Sequence, residues 1–273
     1  MRVGGDRVEN TLDAVAVEHY LTIEFRGEPV ATLACTPSRL EELALGHLIG
    51  QGMVPAAASP NAAALSWRLS VDRRVIRVAP AGGEPGRPGE GAGTGGLVPS
   101  GCGAVQAMDR DDAVARMPAV SWDGTVPASR IAGLAALLEE ASLFRRTGAA
   151  HSAVAAVAEG SGPEGVLVTR EDIGRHNAVD KVVGHLWLAG LLPAQTTRAA
   201  VPGGRGHARI LSTSGRISSD IVIKAARAGF PLVVSRGAPT VMAVRLAAAA
   251  GLTLAGFARG RRMNVYTHPG RVG

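Results

Sequence analysis

Aromatic residues are scarce in this chain: 3% of 273 residues, with four phenylalanines, three tryptophans and two tyrosines. A core must therefore be built from alanine, valine and leucine, which supply most of the 46% hydrophobic content. Cysteine is nearly absent as well. Cys35 and Cys102 alone make no disulfide framework, and the expected setting is a reducing cytoplasm. The N-terminus, MRVGGDRVEN, lacks the apolar stretch of a secretion signal. No uninterrupted apolar run of about 18 residues exists, so no membrane span is expected. Lysine occurs only at Lys181 and Lys224, and arginine carries nearly all of the formal +6 charge. That charge fits either simple solubility or an anionic partner. Without clustered basic and stacking aromatic residues, it does not point to nucleic acid.

Familiar site patterns are missing too. There is no C-x-x-C, no histidine pair at metal-ligand spacing, no phosphate loop of the G-x-x-x-x-G-K-[ST] type and no strand-linked G-x-G-x-x-G. No G-x-S-x-G elbow supports serine hydrolysis. A resident metal, zinc included, is not expected.

What the chain does contain is periodic. Residues 1–12 read as an arm. Tyr20–Phe25 and Val30–Cys35 read as strands around a turn. Ser38-x-x-Glu41 reads as a capping box that opens a helix ending near Gly50–Gly52. Ala64–Leu69 and Arg74–Val78 read as further strands. From Ala79 to Gly103 the composition turns to Gly, Pro, Glu and Thr, which predicts a flexible surface loop carrying Cys102. These features make residues 1–126 a smaller β-rich domain and 127–273 the main domain. In the latter, a helix over Ser129–Ala141 precedes strands at Ser152–Ala158 and Gly165–Thr169 and a helix at 177–189. Strands at Arg209–Thr213, Pro231–Ser235 and Thr253–Phe257 then alternate with helices at Ser218–Ala228 and Thr240–Ala250. A short strand at Asn264–Tyr266 closes the chain. This alternation predicts an α/β fold, a mixed sheet with helices on both faces.

The charge-dense stretch REDIGRHNAVDK (170–181) sits between a strand and a helix, where open α/β sheets place ligands. Glu171–Asn177, Thr213–Ser219 and Ser235–Thr240 are three such loops, expected on one edge of the sheet. Each brings backbone amides, a helix N-terminus and an arginine suited to phosphate: Arg175, Arg216 and Arg236. Phe257–Arg262 adds Arg259, Arg261 and Arg262. Ser214, Ser235 and Thr240 fit either ligand contacts or ordinary helix caps. His176 lies inside the charged loop and is the better histidine candidate; His151, at a strand end, reads as structural. Cys35, in a strand, reads as a small core residue. Cys102, flanked by glycines, is either an accessible nucleophilic thiol or an inert surface cysteine.

EDIGRHNAVDK (171–181), STSGRISSDIVIKAARAGFPLVVSRGAPT (212–240) and LAGFARGRRMNVYTHPGR (254–271) strongly resemble the formate dehydrogenase accessory sulfurtransferase family, FdhD. TGAAH (147–151) and LEELALGHLIGQG (40–52) fit the same family in the same order. The resemblance implies a cytoplasmic homodimer whose main domain is similar in fold to cytidine deaminases. It implies a persulfide received from a cysteine desulfurase and passed to the molybdenum (or tungsten) of bis(molybdopterin guanine dinucleotide), for formate dehydrogenase as client. The persulfide cysteine maps onto Cys102, and the guanine-dinucleotide segment onto Phe257, Ala258, Arg259, Gly260, Arg261 and Arg262. The deaminase zinc pattern H-x-E…P-C-x-x-C is absent, which argues against deamination. Two departures stand out. The family's C-x-x-C reads Cys102-Gly-Ala-Val105 here, and its TGG-x-H reads TGAAH. The missing second cysteine leaves two readings beside one another: sulfur transfer through Cys102, or binding and delivery of the cofactor without sulfur chemistry. A third class is a nucleotide hydrolase using His176 and Asp172.

Overall fold

The structure, a computed structural model, describes residues 2–4, 7–56, 65–80, 97–98, 117–159, 163–192 and 209–273. Cys102 and Val105 lie outside them. A short pair, β1 (Arg2–Gly4) and β2 (Arg7–Glu9), begins the chain. Strands β3 (His19–Phe25) and β4 (Glu28–Cys35) form the expected hairpin. Helix α1 (Leu40–Gly50), β5 (Leu65–Leu69), β6 (Val75–Pro80) and β7 (Leu97–Val98) follow, and the first sheet has the order β5-β6-β3-β4-β7. Strand β7 lies within the stretch expected to be a loop throughout. Its two apolar residues pair in parallel with Thr32 and Leu33 of β4.

The capping box does not form. Ser38 lies outside the helix, and Arg39 is the N-cap in a left-handed conformation (φ 55°, ψ 44°) with no side-chain cap bond. Helix α1 is buried on nearly all sides, as an all-round apolar helix must be. It is held by packing, and Glu42, in its first turn, turns to Arg170.

The helix expected over Ser129–Ala141 is shorter: α2 spans Ala128–Leu137, and a separate short helix, α3, spans Ser142–Thr147. The second sheet then comprises β8 (His151–Val157), β9 (Val166–Asp172), β10 (Arg209–Thr213), β11 (Leu232–Ser235), β12 (Thr253–Arg259) and β13 (Arg262–Thr267). Helices α4 (Arg175–Leu188), α5 (Ser219–Arg227) and α6 (Val241–Ala250) connect them. The order β13-β12-β11-β10-β8-β9 is mixed. Strands β10, β11 and β12 are parallel, β8 opposes β10, and β9 opposes β8. Hence β9, β10, β11 and β12 all end on one edge, where β8 begins with His151 opposite Asp172.

Period-two alternation splits the side chains of this sheet. Ala153, Ala155, Leu211, Val233 and Leu254 join the larger core with α1, α4, α5 and α6. Val154, Ala156, Ile210, Leu232, Val234 and Ala255 join a second core under α2, so helices cover both faces. The larger core continues into Leu21, Ile23 and Leu33 of the first sheet, with α1 between the two sheets. Few large side chains separate α1 from α4. A Cβ at Gly46 would lie 1.8 Å from the Asp180 carbonyl oxygen, and one at Gly184 would lie 1.9 Å from that of Glu42. The two helices cross in backbone contact, and only glycine permits it at these points.

Candidate functional site

Most of the charge in 170–181 faces inward. Arg170 forks onto Glu42 (Nη2–Oε1 2.8 Å), which also meets His185. Glu171 accepts the N–H groups of Leu143 (3.0 Å) and Phe144 (2.9 Å), satisfying the first turn of α3. Asp172 is fully buried. It accepts from the Thr36 amide and hydroxyl (3.0 Å each), the Gly174 amide (2.9 Å) and Asn177 (2.9 Å), and pairs with Lys181 at 2.6 Å. Its oxygens are fully engaged, which leaves no geometry for a hydrolytic role. Asp180 pairs with Lys224 and His47 in the same interior. Burial pushes its pKa up; Lys224 and His47 more than offset this, and its carboxyl sits below the usual range. His176 is buried, with Nε2 3.0 Å from Ser218 Oγ. Burial, then Lys224 and Arg175, push its pKa down to about 3, so it is neutral at pH 7.

Arg175 alone of this stretch's charged residues lies against the next loop. A Cβ at Gly215 would lie 2.8 Å from Arg175 Cβ, so glycine lets the two loops close. Ser214 donates its amide to Ser152 O (2.9 Å), and its hydroxyl accepts from Ser152 N (3.0 Å) beside His151 Nδ1 (3.3 Å). Arg216 is exposed. Ser235 is buried; it donates to Gly215 O and accepts from Gly237 N (2.8 Å), stapling the β10 and β11 loops together. Thr240 caps α6, accepting from Ala243 N at 3.2 Å. Ser235 and Thr240 therefore have structural partners of their own. Arg236 reaches Glu139 at 2.6 Å across the partly exposed edge. Of the hairpin residues, Ala258 packs into the second core, while Phe257, Arg259, Gly260, Arg261 and Arg262 are exposed. Phe257 has a positive φ of 53°, an uncommon state for a bulky residue, and its N–H reaches Gly237 O at 3.1 Å.

A cavity of about 470 Å³ opens at this edge. Leu138, Phe144, Gly148, Ala149, Ala150 and Ile173 form its apolar side; His151, Ser214, Arg236 and Arg259 form its polar side. It brings together Ser214, Arg236 and Arg259 from the sequence-derived set. His176, Ser235, Thr240 and Ala258 do not line it. It adds His151, which local sequence read as structural, and Phe144 of α3. Only the β8–β9 register and the Glu171 tether reveal those two. Cys35 is buried in the larger core, where burial above all pushes its thiol up to about 12. No helix among the described residues is long and apolar enough to cross a membrane.

Residues 16–273 match the FdhD/NarQ family. The chain is 37% identical over 269 residues to the sulfur carrier protein FdhD of Anaeromyxobacter dehalogenans, covering 96% of this chain and 89% of that one. It is 33% identical over 264 residues to the protein of the same name from Shouchella clausii, covering 95% and 90%. The crystal structure of a putative formate dehydrogenase accessory protein from Desulfotalea psychrophila superposes with a TM-score of 0.66 at 25% identity, over 96% of this chain and 91% of that one. With its ordered motifs, its sheet-edge cavity and these matches along nearly its full length, the chain belongs to the FdhD/NarQ family.

Proposed function

We propose that this protein is a sulfur carrier acting as a sulfurtransferase in formate dehydrogenase maturation. It accepts sulfur from a cysteine desulfurase on Cys102 and passes it to the molybdenum of bis(molybdopterin guanine dinucleotide), its bound substrate. The names of its relatives support the sulfur-carrying role. The observation that carries the assignment to Cys102 is the state of the other cysteine. Cys35 has no exposed surface, and its thiol is pushed up to about 12. Thiolate is the nucleophile in sulfur exchange, so Cys35 cannot serve, and Cys102 is the only other cysteine in the chain. In the loading step the Cys102 thiolate attacks the terminal sulfur of the desulfurase persulfide. The donor S–S bond breaks, the donor thiolate leaves, and Cys102 becomes the persulfide.

The sheet-edge cavity fits the anionic end of the substrate. Arg236 and Arg259 line it, Arg216 and Arg261 belong to loops of the same edge, and Arg175 and Arg262 begin α4 and β13. Incubation with a desulfurase and cysteine should load one sulfane sulfur per chain. Loading should survive Cys35→Ala and vanish in Cys102→Ala. Undiminished loading in Cys102→Ala overturns this role for Cys102. Full rescue of a formate dehydrogenase maturation defect by Cys102→Ala would instead favour a delivery chaperone, the reading prompted by Val105.

A further inference from the structure

His151 opens β8 at the sheet edge, opposite Asp172 of β9, and lines the cavity. Its Nδ1 lies 3.3 Å from Ser214 Oγ. That same oxygen accepts the Ser152 N–H at 3.0 Å. A serine hydroxyl has one hydrogen and two lone pairs. Ser152 occupies one lone pair, and His151 Nδ1 is the acceptor within reach of the hydrogen among the described residues. A ring that donated from Nδ1 would leave the serine hydrogen without a partner among the described residues. Both groups are satisfied when Ser214 donates to Nδ1, which puts the single ring proton on Nε2. Burial, then Arg175, favour this neutral ring over the imidazolium; Asp172 pulls the other way, and Arg216 adds a smaller push toward the neutral form.

We propose that His151, locked by Ser214 as the Nε2–H tautomer, is a specificity-determining contact of the cavity: a fixed, uncharged donor to a phosphoryl oxygen of a bound nucleoside diphosphate group. This rests on the reading that the cavity takes the phosphate end of a guanine dinucleotide. The lining chemistry selects phosphate over a base edge. Arg236 and Arg259 are donors without acceptor capacity, the Ser214 hydrogen is engaged by the ring, and no carboxylate side chain is among the described lining. Polar side chains that mostly donate suit a group that only accepts, as phosphoryl oxygens do. A base edge mixes donors with acceptors and would set N–H against N–H. Arginine supplies the attraction; His151 supplies a direction, because its ring is held at Nδ1 and cannot swing as an arginine can.

Calorimetric titration of the full chain with GDP and with inorganic pyrophosphate tests this. His151→Ala should weaken both by about five- to tenfold, the size of one neutral hydrogen bond. His151→Gln, whose amide N–H reaches near the Nε2 position, should recover most of the affinity; His151→Asn, which matches Nδ1, should not. The wild-type ¹⁵N spectrum should show His151 protonated at Nε2, and Ser214→Ala should mix the tautomers. Undiminished GDP affinity in His151→Ala, or an Nδ1–H ring in the wild type, overturns the proposal while the cavity assignment stands. Failure of wild-type protein to bind either ligand overturns both.

Discussion

Two regions of this molecule are rich in charge, and they use it in opposite ways. Between α1, α4 and α5, the groups Glu42, Arg170, Asp172, Asp180, Lys181 and Lys224 are partnered with one another. At the sheet edge Arg216, Arg259, Arg261 and Arg262 stand exposed, and Arg236 shares one carboxylate at a partly exposed position. Buried charges must be paired, since an unpaired one costs several kcal/mol. The interior network is therefore a requirement of folding. Exposed arginines carry no such requirement and remain available to a ligand. Density of charge in sequence does not separate the two cases; satisfaction of each group does.

The contrast can be broken at measurable points. The largest effect is expected at the helix crossing that encloses the interior network. Gly184→Val drives a side chain into the Glu42 carbonyl, and the chain should fail to accumulate as soluble protein. Soluble, cooperatively unfolding Gly184→Val would show that the crossing is looser than described. Next, Asp172→Ala strands Lys181 in the core and should cost about 3–5 kcal/mol in denaturant unfolding, as removal of one partner of a buried pair does. A loss below about 1 kcal/mol, the scale of an exposed pair, would place Asp172 with the surface charges instead.

His176 gives a smaller effect that depends on pH. Its folded pKa of about 3 lies below the unfolded value near 6.5. Above that unfolded value both states are neutral and the residue contributes no pH dependence. As pH falls through 6.5 toward 3, the unfolded chain binds a proton that the folded chain refuses, and stability declines by up to about 1.4 kcal/mol per pH unit. His176→Gln should flatten the profile by that slope; an unchanged profile would mean that the ring titrates freely. Smallest for stability, Arg236→Ala or Arg259→Ala should change unfolding free energy by no more than about 0.5 kcal/mol. The same substitutions should weaken GDP binding about ten- to a hundredfold, the scale of one charged hydrogen bond. A large stability loss there would erase the distinction between the two regions.

Much of the main sheet was legible in sequence because its signals are local. Arg209–Thr213, Leu232–Ser235 and Thr253–Arg259 are short apolar runs, and Gly229 and Gly251 close the intervening helices. The shared edge followed from right-handed crossovers. What stayed hidden depends on partners distant in sequence. Thr36 and Asp172 are 136 residues apart, and Arg170 and Glu42 are 128 apart. The Ser38–Glu41 pattern was a decoy, since α1 is held by burial and Arg39 starts it with a left-handed turn. His151 read as structural because its position depends on register: only its place opposite Asp172, with the Ser214 hydroxyl beside its ring, brings it to the cavity. Ser235 and Thr240 showed the reverse, since hydroxyls that looked free to meet a ligand are used to staple and cap.

A crystal of the full chain soaked with GDP tests the separation of structural from ligand-binding charge most directly. Density for the diphosphate should lie at the sheet edge, within hydrogen-bond reach of Arg236, Arg259 and His151, with the Asp172–Lys181 pair undisturbed. Diphosphate density elsewhere, or a ligand that draws its contacts from the α1–α4 network, would contradict it.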